Sequence, residues 1–272
     1  MPPKKVQQKK GVRAVKQAAK RPPLQHISSS DEEEDMGTIR ALVARVEALE
    51  KERRQPLDVE AGSSSAPAGV LSLPVPVRIV LCGHSILFWA HRRASSSIPG
   101  TQLQLSAVAI IRWEACRGML WDALLLSVCR IMSSADRPHV LLIHLGGNDL
   151  VQRPGMDLLL KIICDLTWLS RSFPNLLLVW SDMLVRRVWR GAFHPNRIDR
   201  SRKWVNRKVR ALVLSLGGAY IPHDRIRFHT PQLFRDDGVH LSEQGCGGFF
   251  RGFDVGIKGF VNFFGLSGPS FS

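Results

Sequence analysis

Five of the 272 residues are cysteine (Cys82, Cys116, Cys129, Cys164 and Cys246), and no two of them form a CxxC pair. Their wide spacing fits separate thiols in a reducing compartment and argues against a disulfide framework. No uninterrupted apolar run reaches the length of about 18 residues that a transmembrane helix needs. The N-terminus, MPPKKVQQKK, has no apolar h-region and does not read as a secretory signal. Walker and dinucleotide-binding strings are absent. His91, His139, His144, His194, His223 and His229 show no ligand spacing with the cysteines, so neither a metal nor another cofactor is expected. Taken together, these absences predict an intracellular protein, cytoplasmic or nuclear.

What the chain does have is positive charge, a formal +15 at pH 7. That favours polyanionic partners: nucleic acid or an anionic membrane surface. The charge is unevenly placed. Residues 1–36 hold a basic run and then SSSDEEED, and are poor in apolar residues, the composition of a disordered tail. In 37–54, Ile39, Leu42, Val46 and Leu49 follow the 3,4,3 spacing of a coiled-coil seam. A helix that short is marginal alone, so the pattern predicts self-association. A linker, 55–75, containing AGSSSAPAG, leads to the main domain, 76–264, and a short tail, 265–272.

The main domain alternates between two periods. Apolar runs at 77–82, 103–111, 139–145, 175–181 and 218–222 read as strands buried on both faces. Between them, 157–169 and 202–216 carry apolar residues at helical spacing. This predicts an α/β domain: a three-layer, flavodoxin-like parallel sheet of five strands in the order 2-1-3-4-5. In that order the chain reverses direction between strands 1 and 3, and ligands bind there, at the carboxyl ends of the strands. Strand 1 ends at CGHS (82–85) and strand 3 at LGGND (145–149), so two polar strings meet the expected crevice.

Each string has a chemical and a structural meaning. Gly83 permits a sharp strand-to-helix turn, and Ser85 then stands at a helix start as either a nucleophile or a cap. Asn148 offers an uncharged N–H of the kind an oxyanion requires, or else caps a Gly-Gly turn. Near the end, in RDDGVHLSEQG (235–245), Gly238 lets Asp237 turn back toward His240. The carboxylate would fix the ring's tautomer, leaving the other nitrogen to act as a base. Asp236 is the rival carboxylate.

In this order the blocks resemble those of the SGNH hydrolases, the GDSL-like esterases, over about residues 76–263. The resemblance implies Ser85 as nucleophile, His240 as base and Asp237 as its acid partner. It also implies an oxyanion site of the Ser85 and Gly118 N–H groups with the Asn148 amide, supported by Gly83 and Gly146. The implied activity is hydrolysis of an acetyl or short-chain acyl ester, with no cofactor. One departure stands out: Gly-His-Ser (83–85) replaces the usual Gly-Asp-Ser. The basic tail, short coiled coil and DGVHLSEQG string further resemble the version of this domain encoded by vertebrate retroelements, which implies an accessory or ORF1-like protein working with RNA.

Two segments stand apart from the esterase blocks. Residues 186–210 hold ten Arg and Lys against one acid, Asp199, with Trp189 and Trp204 interleaved. Lys203, Arg207 and Arg210 share a helical face that could contact RNA or anionic lipid, or be a solvated helix face. At the C-terminus Phe249, Phe253, Ile257, Phe260, Val261 and Phe264 form a helical stripe, despite glycines that each cost about 1 kcal/mol relative to alanine. Packing on the sheet is expected to hold that helix.

Overall fold

Apolar runs with no alternation cannot be half-exposed strands, and in the structure they occupy the centre of a sheet. The computed structural model describes residues 76–98 and 100–266. The expected tail 1–36, coiled coil 37–54 and linker 55–75 lie outside the described residues, as do 267–272 and the side chains from residue 260 onward. Among the described residues there are five strands: β1 (Val77–Gly83), β2 (Ala109–Ala115), β3 (Val140–His144), β4 (Leu177–Ser181) and β5 (Ala219–Ile221). All pair in parallel, in the order β2-β1-β3-β4-β5. Five α-helices connect and cover them: α1 (Ser85–Ser95), α2 (Leu124–Met132), α3 (Gly155–Ser172), α4 (Pro195–Ser215) and α5 (Glu243–Leu266).

Alternate side chains of the central strands feed two separate cores. Ile79 and Leu81 of β1 and Leu142 of β3 face one side, where Leu87 and Ala90 of α1 and Phe249, Phe253 and Ile257 of α5 cover them. Val80, Leu141 and Ile143 face the other, against Leu158 and Ile162 of α3 and Val205 and Val209 of α4. Phe249 and Phe253 of the glycine-rich last helix are fully buried, so packing on the sheet holds this part of the helix where its own propensity would not.

The second strand begins later than the apolar run 103–111 predicts. Leu103 and Gln104 have left-handed backbones, with φ of 49° and 58°, inside a turn. Both Leu103 and Leu105 are buried, but as loop side chains beneath the sheet. Apolarity there reported burial and not extension. The Gln102 side chain then covers the open edge of β2. Its Oε1 accepts the Ile111 N–H at 2.8 Å and its Nε2 donates to the Ile111 carbonyl at 2.9 Å. Helix α4 likewise starts at Pro195, before the apolar periodicity at 202, because its first turns lie at the surface and proline suits a first helical turn.

Candidate active site

The carboxyl ends of β1 and β3 meet so closely that side chains are excluded. A Cβ on Gly83 would sit far inside van der Waals contact with the His144 carbonyl oxygen. Glycine is therefore required here by the approach of two strands. Immediately after it, His84 is buried and caps α1: its Nδ1 accepts the Ile86 N–H at 3.3 Å. Accepting at Nδ1 requires a neutral ring, and the surroundings favour one. Burial, then the neighbouring His144, Arg186 and His240, hold His84 well below the ordinary histidine range. The histidine in Gly-His-Ser thus performs an acceptor's task at the N-cap.

Ser85, the first residue of α1, points its hydroxyl out of this elbow. His240 Nε2 lies 3.0 Å from Ser85 Oγ. On the other side of the ring, His240 Nδ1 lies 2.6 Å from Asp237 Oδ2. The other carboxylate oxygen, Oδ1, accepts the Val239 and His240 backbone N–H groups, each at 2.9 Å. The turn that allows this needs Gly238, at φ +63°, where a Cβ would also strike Val188. Partial burial pushes the Asp237 carboxyl up, but hydrogen bonds from the His240 backbone and ring and the Val239 N–H outweigh it and hold the group at about 2. Arg190 adds a cation 3.4 Å from the same carboxylate. Asp236, the alternative partner, is exposed.

Opposite these groups, the turn after β3 braces the turn after β2. Asn148 Nδ2 donates to the Met119 carbonyl at 3.1 Å, and the Trp121 N–H reaches both Asp149 carboxylate oxygens at 3.1 Å. Gly118, exposed and at φ +75°, lies between β2 and these anchors. Gly146, at φ +97°, turns the chain out of β3. Arg186, expected only as one of the basic residues of 186–210, holds the second end of Asn148: its Nη2 donates to Oδ1 at 3.0 Å. Burial pushes the Arg186 guanidinium down to about 10, so it stays charged at neutral pH. With Oδ1 occupied by Arg186, Asn148 is oriented with Nδ2 as its donor end. A Ser-His-Asp relay beside such an amide can perform nucleophilic acyl transfer.

The basic face on α4 is less free than its composition implies. Lys203 pairs with Asp199 at 3.0 Å. Arg210 is bound to Asp182 through both its Nε and Nη2 and lies over Tyr220. Arg207 lines the cleft beside them. Among the described residues no helix is long and apolar enough to cross a membrane.

No family model and no curated protein matches the chain. Solved structures do match. A GDSL-like lipase from Bacteroides thetaiotaomicron superposes with a TM-score of 0.51 at 16% identity, over 69% of this chain and 92% of that one. The chain has the fold of the GDSL-like hydrolases. A lipase/acylhydrolase from Enterococcus faecalis gives 0.50 at 16% identity, over 67% and 96% of the two chains. The psychrotrophic esterase EstA from a Pseudoalteromonas species, in a structure inhibited by monoethylphosphonate, gives 0.51 at 12% identity, over 68% and 98%. At such identities the likeness concerns the fold, and the chemistry must be argued from the side chains themselves.

Proposed function

We propose that this chain is a serine ester hydrolase of the SGNH type. One observation carries the reading: the hydrogen-bonded series Ser85–His240–Asp237, with spacings of 3.0 and 2.6 Å, assembled from opposite ends of the domain. Ser85 Oγ attacks the acyl carbon while its proton passes to His240 Nε2. Asp237 holds the ring with its Nδ1 proton facing the carboxylate and stabilises the imidazolium that forms. The Ser85 and Gly118 N–H groups and Asn148 Nδ2 hold the negative oxygen of the tetrahedral intermediate. The imidazolium returns its proton to the departing alcohol. Water, deprotonated by the same imidazole, then releases the acyl group and restores the serine.

The substrate class we favour is an acetyl or short-chain acyl ester. Hydrolysis of p-nitrophenyl acetate by the full chain tests the reading: wild type should turn it over, and Ser85→Ala should not. Equal rates for the two would remove Ser85 from the reaction.

The alternative, an inert scaffold that oligomerises through 37–54 and binds RNA through the basic tail and the 186–210 face, has less support from that face, because Lys203 and Arg210 are already engaged by carboxylates. The likeness of the C-terminal motif to retroelement-encoded domains supports placing the hydrolase in an accessory protein that self-associates through 37–54 and works beside RNA. Pelleting the chain with RNA, with and without residues 1–54, tests that placement; no co-sedimentation in either case would contradict it.

A further inference from the structure

A groove runs along α1, beginning at Trp89 beside His240. Trp89, one helical turn after Ser85, presents its ring edge-on to His240, with centroids 6.3 Å apart. Beyond it the groove continues past Arg92 and Arg93 on α1 and is closed by Arg235, Glu243 and Cys246, enclosing about 430 Å³. Charge here is one-sided. Arg93 is paired with Glu243 at 2.5 Å, the single carboxylate in the lining. Among the described residues neither Arg92 nor Arg235 is paired with a carboxylate, although Arg235 Nε donates to the Leu241 carbonyl at 3.1 Å. The Arg235 guanidinium stacks 4.4 Å from the Trp89 ring centre, and that of Arg117, beside Gly118, lies 5.8 Å from the same centre. An aromatic floor under uncompensated guanidiniums suits an organic chain that ends in an anion.

From this arrangement, and resting on the hydrolase reading above, we propose that the groove is a specificity subsite for esters that carry an anionic group. The group would be a carboxylate or phosphate about 10 Å from the scissile carbonyl, the helical rise from Ser85 to Arg92. The chain between carbonyl and anion passes along Trp89, and Arg92 and Arg235 receive the charge.

Two matched substrate pairs test this, one for each side of the ester. On the acyl side, mono-4-nitrophenyl suberate is compared with 4-nitrophenyl octanoate. On the alcohol side, 6-acetoxyhexanoate is compared with heptyl acetate. In one pair the anionic member should have a kcat/KM about tenfold higher at low ionic strength, falling toward parity in about 0.5 M salt. Arg92→Glu should abolish or invert the ratio, and Arg92→Lys should retain most of it. Equal kcat/KM within both pairs, or a preference that survives both Arg92→Glu and salt, would overturn the proposal. Calorimetric binding of the same pairs to Ser85→Ala separates the subsite from the chemistry. Should wild type hydrolyse nothing, the hydrolase reading fails, and the subsite then stands or falls on whether the Ser85→Ala protein binds the anionic member more tightly.

Discussion

His240 Nε2 and Ser85 Oγ lie 3.0 Å apart although 155 residues of sequence separate them. Nothing local brings them together. The serine is set by the β1–α1 elbow and the histidine by the turn before α5, and both arrive at the sheet edge because α1 and α5 pack on the same face. The relationship therefore depends on the whole fold, and small changes to its supports should register in the chemistry.

Asp237 is the first such support. Its carboxyl is held at about 2, below an ordinary aspartate near 3.9. A depressed carboxylate contributes its stabilisation above the ordinary value and loses it as pH falls through about 2. Asp237 therefore stays ionised throughout the working range, and an acid limb of kcat/KM above pH 4 does not report its protonation. Asp237→Asn should lower kcat by about 10³- to 10⁴-fold at neutral pH. Stopped ester hydrolysis across pH 4–9 checks this, and a loss below tenfold would assign the orienting role elsewhere.

Arg186 donates to Asn148, and on the proposed mechanism it acts through that amide. Replacing Asn148 by Ala should cost about 10²- to 10³-fold in kcat with little change in KM. Arg186→Met leaves Asn148 Oδ1 without its charged donor and should lower kcat by about tenfold. The double variant should be no worse than Asn148→Ala alone, since one change acts through the other. Additive losses in steady-state kinetics would show that Arg186 acts independently.

Gly83→Ala tests the meeting of β1 and β3. A methyl group there collides with the His144 carbonyl, backbone that cannot swing aside. The expected cost is about 2 kcal/mol or more, read as a lower urea midpoint at unchanged slope. An unchanged midpoint would mean that the two strand ends separate readily.

Behind the site, Ser181 Oγ lies between His144 Nδ1 at 2.9 Å and His223 Nε2 at 2.8 Å, and all three are buried. Burial, then Arg186, push His144 down to about 3, against a weaker opposing hydrogen bond from Ser181. His223 is also held well below its ordinary range, by burial first. For histidines kept neutral in this way, the unfolded chain binds more protons below about 6.5, so their stabilisation is present above that pH and declines as pH falls. The urea midpoint should therefore drop between pH 7 and 5. His223→Phe, which keeps a ring against Phe249 and Phe253, should shrink the drop; an identical drop would rule out this cluster as its source.

Sheet order and crevice were legible in the sequence because β1, β3 and β4 are buried on both faces and so read as unbroken apolar runs. Ser85, Asn148, Asp237 and His240 could be picked out as candidates from short strings; Gly83 could be picked out only as a turn glycine, since the close approach of His144 that requires it comes from the neighbouring strand. Illegible were the features that arise only across the fold. Arg186 sits in a run of arginines that composition reads as surface, yet it is 7% exposed and bonded to a turn 38 residues earlier. His84 looked like the loss of an acid, because only the folded elbow shows that a neutral ring nitrogen caps the helix. The start of β2 was misplaced because Leu103 and Leu105 are apolar for burial in a loop.

Fluorophosphonate labelling of the full chain, followed by mass mapping of the modified peptide, tests the central claim most directly. The account predicts a single adduct on Ser85, absent in Ser85→Ala and strongly slowed in His240→Ala. A chain that takes no label, or takes it elsewhere with Ser85 untouched, would contradict it.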